Sequence, residues 1–231
     1  MKKIKENLLP LSILVAGLLI AGAIIFTRVK VEKPQAQRPP SEEINYDALR
    51  PVTDDDWIRG DINAPVKVIE FSDFECPFCK MFHQTMIEIM KEYKGKVAWI
   101  YRHFPLDVLH KKARKEAEAA ECVGYLGGDS AFWLFADKIF EVTPSNDGLD
   151  HNLLPDLAFQ AGVDKENFKR CLNEGRYAKN VEEDANEALK IGIRGTPTSI
   201  VIAPNGKKFL IQGARPYAQV KDIIEEALRN Q

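Results

Sequence analysis

Val66-Lys67-Val68-Ile69-Glu70-Phe71-Ser72-Asp73-Phe74-Glu75-Cys76-Pro77-Phe78-Cys79-Lys80-Met81 is the stretch that decides the fold. An apolar run ends in two cysteines separated by two residues, and helix-period apolar spacing follows at once through Phe82, Met86, Ile89 and Tyr93. Cys76 therefore falls where a strand hands over to a helix, with Cys79 one turn further in. The unpaired N–H groups of a helix N-terminus favour a thiolate over a thiol, and cysteine reactivity follows the thiolate fraction. Side chains at i and i+3 on a helix have Cβ atoms about 5–6 Å apart, whereas a disulfide wants roughly 3.5–4.5 Å. Tightening the first turn towards 3₁₀ geometry closes that gap, so the pair can pass between dithiol and disulfide with little backbone movement. Pro77 is tolerated in the first helical turn and stiffens the loop between the sulfurs.

Outward from this stretch, the pattern predicts a strand over residues 66–71, a helix over 76–93 and a strand over 96–104, with Gly95 closing the helix. Between residues 110 and 191 the chain turns helical. Phe132, Phe135, Ala136, Ile139 and Phe140 form one apolar stripe, and Val181, Ala185 and Leu189 another. Strand character returns over 199–203, Asn205-Gly206 supplies a hairpin turn, and a partner strand over 208–212 leads to an amphipathic helix carrying Val220, Ile223, Ile224, Ala227 and Leu228. The order is βαβ, a helical block, then ββα.

Lys2, Lys3 and Lys5, in a basic segment over residues 1–7, precede an uncharged apolar run over residues 8–27. At 1.5 Å per residue that run matches the roughly 30 Å of a bilayer core, so it reads as a transmembrane helix or a signal peptide. Ala21-Gly22-Ala23 has the small-residue look of a cleavage site, but Ile24, Ile25 and Phe26 continue the apolar run past it, which favours an uncleaved anchor. Arg28, Lys30 and Lys33 put positive charge on the other side as well; the first-helix pattern then favours a domain lying outside the cytoplasm. Residues 28–45, rich in Pro, Gln and charge, read as a solvated linker. Residues 46–231 are long enough for one domain. A net charge of -2 with mixed signs argues against a nucleic-acid partner. The run Lys111-Lys112-Ala113-Arg114-Lys115, alternating into Glu116, Glu118 and Glu121, reads as a solvated helix face.

Cys76-Pro77-Phe78-Cys79 after a strand, Gly195-Thr196-Pro197-Thr198 before a late strand, and a helical insertion between them resemble the DsbA-like thiol:disulfide oxidoreductases, in their membrane-tethered branch. The resemblance covers about residues 54–228. It implies an α/β thioredoxin fold (βαβ–ββα) with a helical insertion at about 108–192, here preceded by one N-terminal transmembrane helix. It implies roles too: Cys76 the exposed nucleophile, Cys79 the resolving thiol, and Thr196-Pro197 a cis peptide bond against the pair, with the Thr196 backbone open to an extended client by β-augmentation. Glu70, six residues before Cys76, matches the family's buried acidic residue, placed to relay the proton of Cys79. Phe78 stands where strongly oxidising members often carry His, and Thr196 where they often carry Val, which bears on the strength of the oxidant and not on the class of reaction.

The other cysteines, Cys122 and Cys171, each lie on an apolar helix side. They are either two buried thiols or a structural disulfide, and an oxidising compartment favours the disulfide. A bridge over that separation would contribute about 4 kcal/mol in the chain-entropy model. His83 follows Cys79 by one turn, so a rival reading makes Cys76, Cys79 and His83 ligands of a metal-binding or metallochaperone module; no second ligand pair has metal spacing, and no metal or other cofactor is expected. His103 reads as a strand-end polar residue and His110 as a solvated helix start. Trp99 and Trp133 read as core, while Phe74 and Phe78, flanking the cysteines, are expected to touch clients.

The resulting expectation is a monomeric, extracytoplasmic, membrane-anchored enzyme that oxidises reduced client proteins through Cys76 and Cys79. A quinone-linked membrane protein of the DsbB or vitamin K epoxide reductase type would reoxidise it. A reductase or isomerase using the same residues is the alternative within the class.

Overall fold

The structure of the protein, a computed structural model, describes residues 44–230. The apolar run over 8–27 and nearly all of the linker lie outside the described residues; among those described, no helix is long and apolar enough to cross a membrane.

Five strands form one sheet in the order β1-β3-β2-β4-β5, made of β1 (Trp57–Arg59), β2 (Val66–Ser72), β3 (Val97–His103), β4 (Thr198–Ile202) and β5 (Lys208–Gln212). Only β2 and β3 run parallel, joined by the crossover helix α1 (Pro77–Glu92); the other pairs are antiparallel. Because β2 sits in the middle of the sheet with both faces covered, it reads as a near-continuous buried run in place of an alternating one. The predicted strands and helices of both halves are present within one or two residues. Gly95 adopts φ +76° between α1 and β3, and Gly206 φ +85° in the β4–β5 turn, both in the left-handed region that favours glycine.

Between the halves lie α2 (Ala113–Gly127), α3 (Asp129–Val142), α4 (Leu154–Gln160), α5 (Lys165–Asn173) and α6 (Ala178–Ile191); α7 (Tyr217–Arg229) ends the fold. One face of the sheet, carrying Val66, Val68, Trp99 and Tyr101, packs on α1, α7 and the helices α2 to α5. Ile69, Phe71, Ile100 and Ile200 on the other face meet Ala185, Ala188 and Ile191 of α6. A bond between Cys122 and Cys171, with Cα atoms 6.0 Å apart, joins α2 to α5. The free-thiol alternative for these two cysteines does not describe the structure.

One strand was not foreseen and two expectations are corrected. The strand β1 carries no sequence signal, being three residues long and defined by pairing with β3. The α2 segment is not a solvated face: Glu116 and Glu121 are buried, because the rest of the domain packs around the helix and supplies donors such as Trp57 Nε1 of β1, 2.5 Å from Glu121 Oε1. His110 is buried as well, drawn in by Asp73. On the α6 side, Arg102 of β3 is fully buried and holds Asp56 and Glu187 at 2.8–3.2 Å, a paired network that offsets part of the cost of the buried charge.

Candidate active site

Cys76 caps the N-terminus of α1, with extended backbone (φ -79°, ψ 120°), and Pro77 occupies the first helical turn. The main chain of residue 76 is fixed twice: its N–H donates to Asp73 O at 3.2 Å and its carbonyl accepts Lys80 N–H at 3.1 Å, the first helical hydrogen bond. Cys76 and Cys79 are both free thiols. The Thr196–Pro197 peptide bond is cis, and the Thr196 carbonyl oxygen lies 3.5 Å from Cys76 Sγ. Residues more than a hundred positions apart thus meet at one sulfur.

The two thiols are unequal. Cys76 is held down at about 6, first because the Cys79 thiol donates to it; Thr196 and the N–H groups of Cys79 and Phe78 add to this against the cost of burial. The helix terminus expected from the sequence therefore contributes, but the neighbouring thiol contributes more. Cys79 is fully buried, and burial together with the Cys76 charge pushes its thiol well above the ordinary cysteine value. The Asp73 N–H donates to Cys79 Sγ at 3.4 Å. A reactive thiolate held beside a proton-bearing thiol is what stepwise disulfide exchange needs.

The sequence suggested an exposed Cys76; the structure instead recesses it to 4 % exposure, with the Thr196 segment drawn against it. Phe78 beside it is 57 % exposed. Phe74, paired with Phe78 as a client contact, is instead 1 % exposed: the loop turns it inward, where its ring stacks on Tyr101 at 5.4 Å and tilts against Phe140 at 5.1 Å. Trp99 and Trp133 are core, as expected.

Glu70 lies on β2, fully buried, and accepts the Trp99 indole N–H at 2.9 Å. Burial raises its carboxyl to about 7, against the opposing pull of Ser72 and Trp99, and charge on Cys76 raises it further. A carboxyl poised at neutrality near both sulfurs suits proton exchange. His83 does not join the cysteines: its Nε2 lies 2.7 Å from Asp137 Oδ1, and its ring packs on Trp99 and Phe140. That pairing turns His83, the third ligand of the metallochaperone reading, towards Asp137.

Two buried acids around the loop were not legible as site residues. Asp73 binds His110 Nδ1 at 2.8 Å across 37 residues, and no local pattern marks that pair. Glu75, immediately before the nucleophile, accepts Gly148 N–H and Leu149 N–H at 3.1 Å through its carboxylate, and Asn146 N–H at 2.8 Å through its carbonyl. The segment it holds contains three successive left-handed residues, Ser145, Asn146 and Asp147. Glu116 faces the same carboxylate, and burial with the nearby Glu75 and Asp73 charges pushes it up to about 10, so it is a neutral acid at physiological pH.

A family model described as thioredoxin matches residues 52–226. Disulfide bond formation protein D of Bacillus subtilis is 31 % identical over 178 residues, 74 % of this chain and 77 % of that protein. The Na(+)/H(+) antiporter NhaA 1 of Mycolicibacterium vanbaalenii is 32 % identical over 165 residues, 70 % of this chain but 26 % of the antiporter; the chain spans only about a quarter of the length of the first curated relatives it matches. Among solved structures, oxidised BdbD from Bacillus subtilis aligns with a TM-score of 0.67 at 29 % identity, covering 82 % of this chain and 98 % of that one. Pseudomonas aeruginosa DsbA2 shares the fold, with a TM-score of 0.65 at 24 % identity over 78 % of this chain and 98 % of that one.

Proposed function

Because the chain belongs to the DsbA-like thiol:disulfide oxidoreductases of the thioredoxin family, we propose that it works as a dithiol oxidase, introducing disulfides into reduced proteins outside the cytoplasm. The observation that carries this reading is the inequality of the two thiols: Cys76 held at about 6, Cys79 buried and raised. A stabilised thiolate stabilises the reduced pair, and a reduced pair that is stable makes its disulfide a strong oxidant.

In the forward direction a client thiolate attacks Cys76 Sγ. The Cys76–Cys79 bond breaks, its electron pair leaves on Cys79, and Glu70 supplies the proton that Cys79 takes up. A second client thiolate then attacks the client sulfur of the mixed disulfide and Cys76 leaves as thiolate. The client has lost two electrons and the pair has gained them.

The uncharged run over residues 8–27 would tether the enzyme, as a monomer, to the outer face of the cell membrane. There a quinone-linked membrane protein of the DsbB or vitamin K epoxide reductase type would return the pair to the disulfide. The test is the equilibrium potential of the pair against glutathione. A value near the ~-120 mV of strong oxidants supports the oxidase, and one near ~-270 mV replaces it with a reductase.

A further inference from the structure

Asp73 lies three residues before Cys76 and ties both cysteines to one residue, Cys79 by its sulfur and Cys76 by its main chain. Its N–H donates to Cys79 Sγ at 3.4 Å and its carbonyl accepts the Cys76 N–H at 3.2 Å. Its carboxylate accepts three hydrogen bonds. Oδ1 accepts Glu75 N–H at 2.8 Å, and Oδ2 accepts both Leu106 N–H and His110 Nδ1–H at 2.8 Å. An acceptor-only carboxylate matches that donor set.

His110 comes from the loop between β3 and α2 and is 5 % exposed. It bonds to Asp73, and negative charge also reaches it from Cys76 and from Asp147, whose Oδ1 is fixed 2.8 Å from the Lys112 N–H. Each of them is an anion or becomes one. Burial alone would keep the imidazole neutral; the surrounding negative charge outweighs it and raises His110 above its ordinary value. The dipeptide between the cysteines, Pro77-Phe78, carries no charge of its own.

We propose that His110, clamped on Asp73, is a positioning residue of the redox pair: its imidazolium is the counter-charge to the Cys76 thiolate, and the clamp steadies the main chain that holds Cys76 by its N–H and Cys79 by its sulfur. This rests on the thiol:disulfide reading above. His110 neither makes nor breaks a bond in the exchange. It acts on the electron pair that leaves on Cys76 when the mixed disulfide resolves.

His110→Asn in the full chain separates charge from staple, since an asparagine amide can still donate to Asp73 where Nδ1 did. Following thiolate ultraviolet absorbance in the reduced protein, the Cys76 midpoint should rise by about one pH unit, the low end expected for losing an opposite charge. At neutral pH the equilibrium with glutathione should then shift towards the disulfide form by roughly fivefold. A variant that titrates like the parent overturns the proposal.

A measurement on the unaltered protein tests the same coupling from the other side, even if the variant fails to fold. Coupling is reciprocal, so the His110 imidazole, followed by NMR, must titrate at higher pH in the dithiol form than in the disulfide form. Equal midpoints sink the assignment. Failure to form any Cys76–Cys79 disulfide against glutathione would instead sink the oxidoreductase reading, while the thiolate absorbance of parent and variant would still decide this one.

Discussion

Trp99 donates its indole N–H to Glu70 Oε2 across 2.9 Å, from the strand paired in parallel with the one that carries the carboxyl. The bond favours the carboxylate and partly offsets burial, leaving Glu70 at about 7 against an ordinary 4.5. Glu70 therefore holds more protons in the folded than in the unfolded chain between those values, so its contribution to stability falls as pH rises through them. Glu70→Gln should stabilise the dithiol form progressively across that window, by at most roughly 3 kcal/mol above it. Trp99→Phe should push the loss to higher pH. Urea denaturation at a series of pH values checks both; a Glu70→Gln gain that does not depend on pH would contradict them.

Alkylation rates give the second prediction. Cys76 should react with a half-maximum near its midpoint of about 6, with rate lost below it as the thiolate is protonated, while Cys79 stays inert across the neutral range. Cys76→Ser should abolish client oxidation, and Cys79→Ser should accumulate mixed disulfides through Cys76. Normal turnover by Cys76→Ser, scored with a reduced model substrate, would reverse the assignment.

Phe74 and Phe78 separate packing from contact. Phe74→Ala removes a fully buried ring and should cost about 3–5 kcal/mol. Phe78→Ala removes an exposed one and should leave stability within about 0.5 kcal/mol, while raising KM for protein clients and sparing reaction with a small disulfide. Denaturant titration beside client kinetics distinguishes the two.

Replacing Cys122 and Cys171 with alanine opens the 49-residue link between α2 and α5. The expected loss is about 2–4 kcal/mol, with the Cys76–Cys79 potential unchanged because the bridge touches neither sulfur. A lower melting temperature with an unaltered glutathione equilibrium is the outcome to look for.

The redox stretch was legible because its signals are local: β-branched residues before the cysteines, helix-period residues after them, Pro77 between. The hairpin and the last helix were legible for the same reason. What stayed hidden depends on partners distant in sequence. Glu116, Glu121 and His110 have the spacing of a solvated face, and only the folded insertion shows that donors and carboxylates bury them. Phe74 misled because position beside a reactive cysteine says nothing about which way a ring turns. The inequality of the thiols was half visible: a helix terminus can be read from spacing, but the part played by Cys79 requires seeing which sulfur is buried.

The hold of Glu75 on residues 146, 148 and 149 fastens the covalent neighbour of Cys76 to the loop between α3 and α4. Any displacement of that loop is passed to Cys76 through a single peptide unit. The geometry at the reactive sulfur is thereby mechanically coupled to a segment that does not touch it.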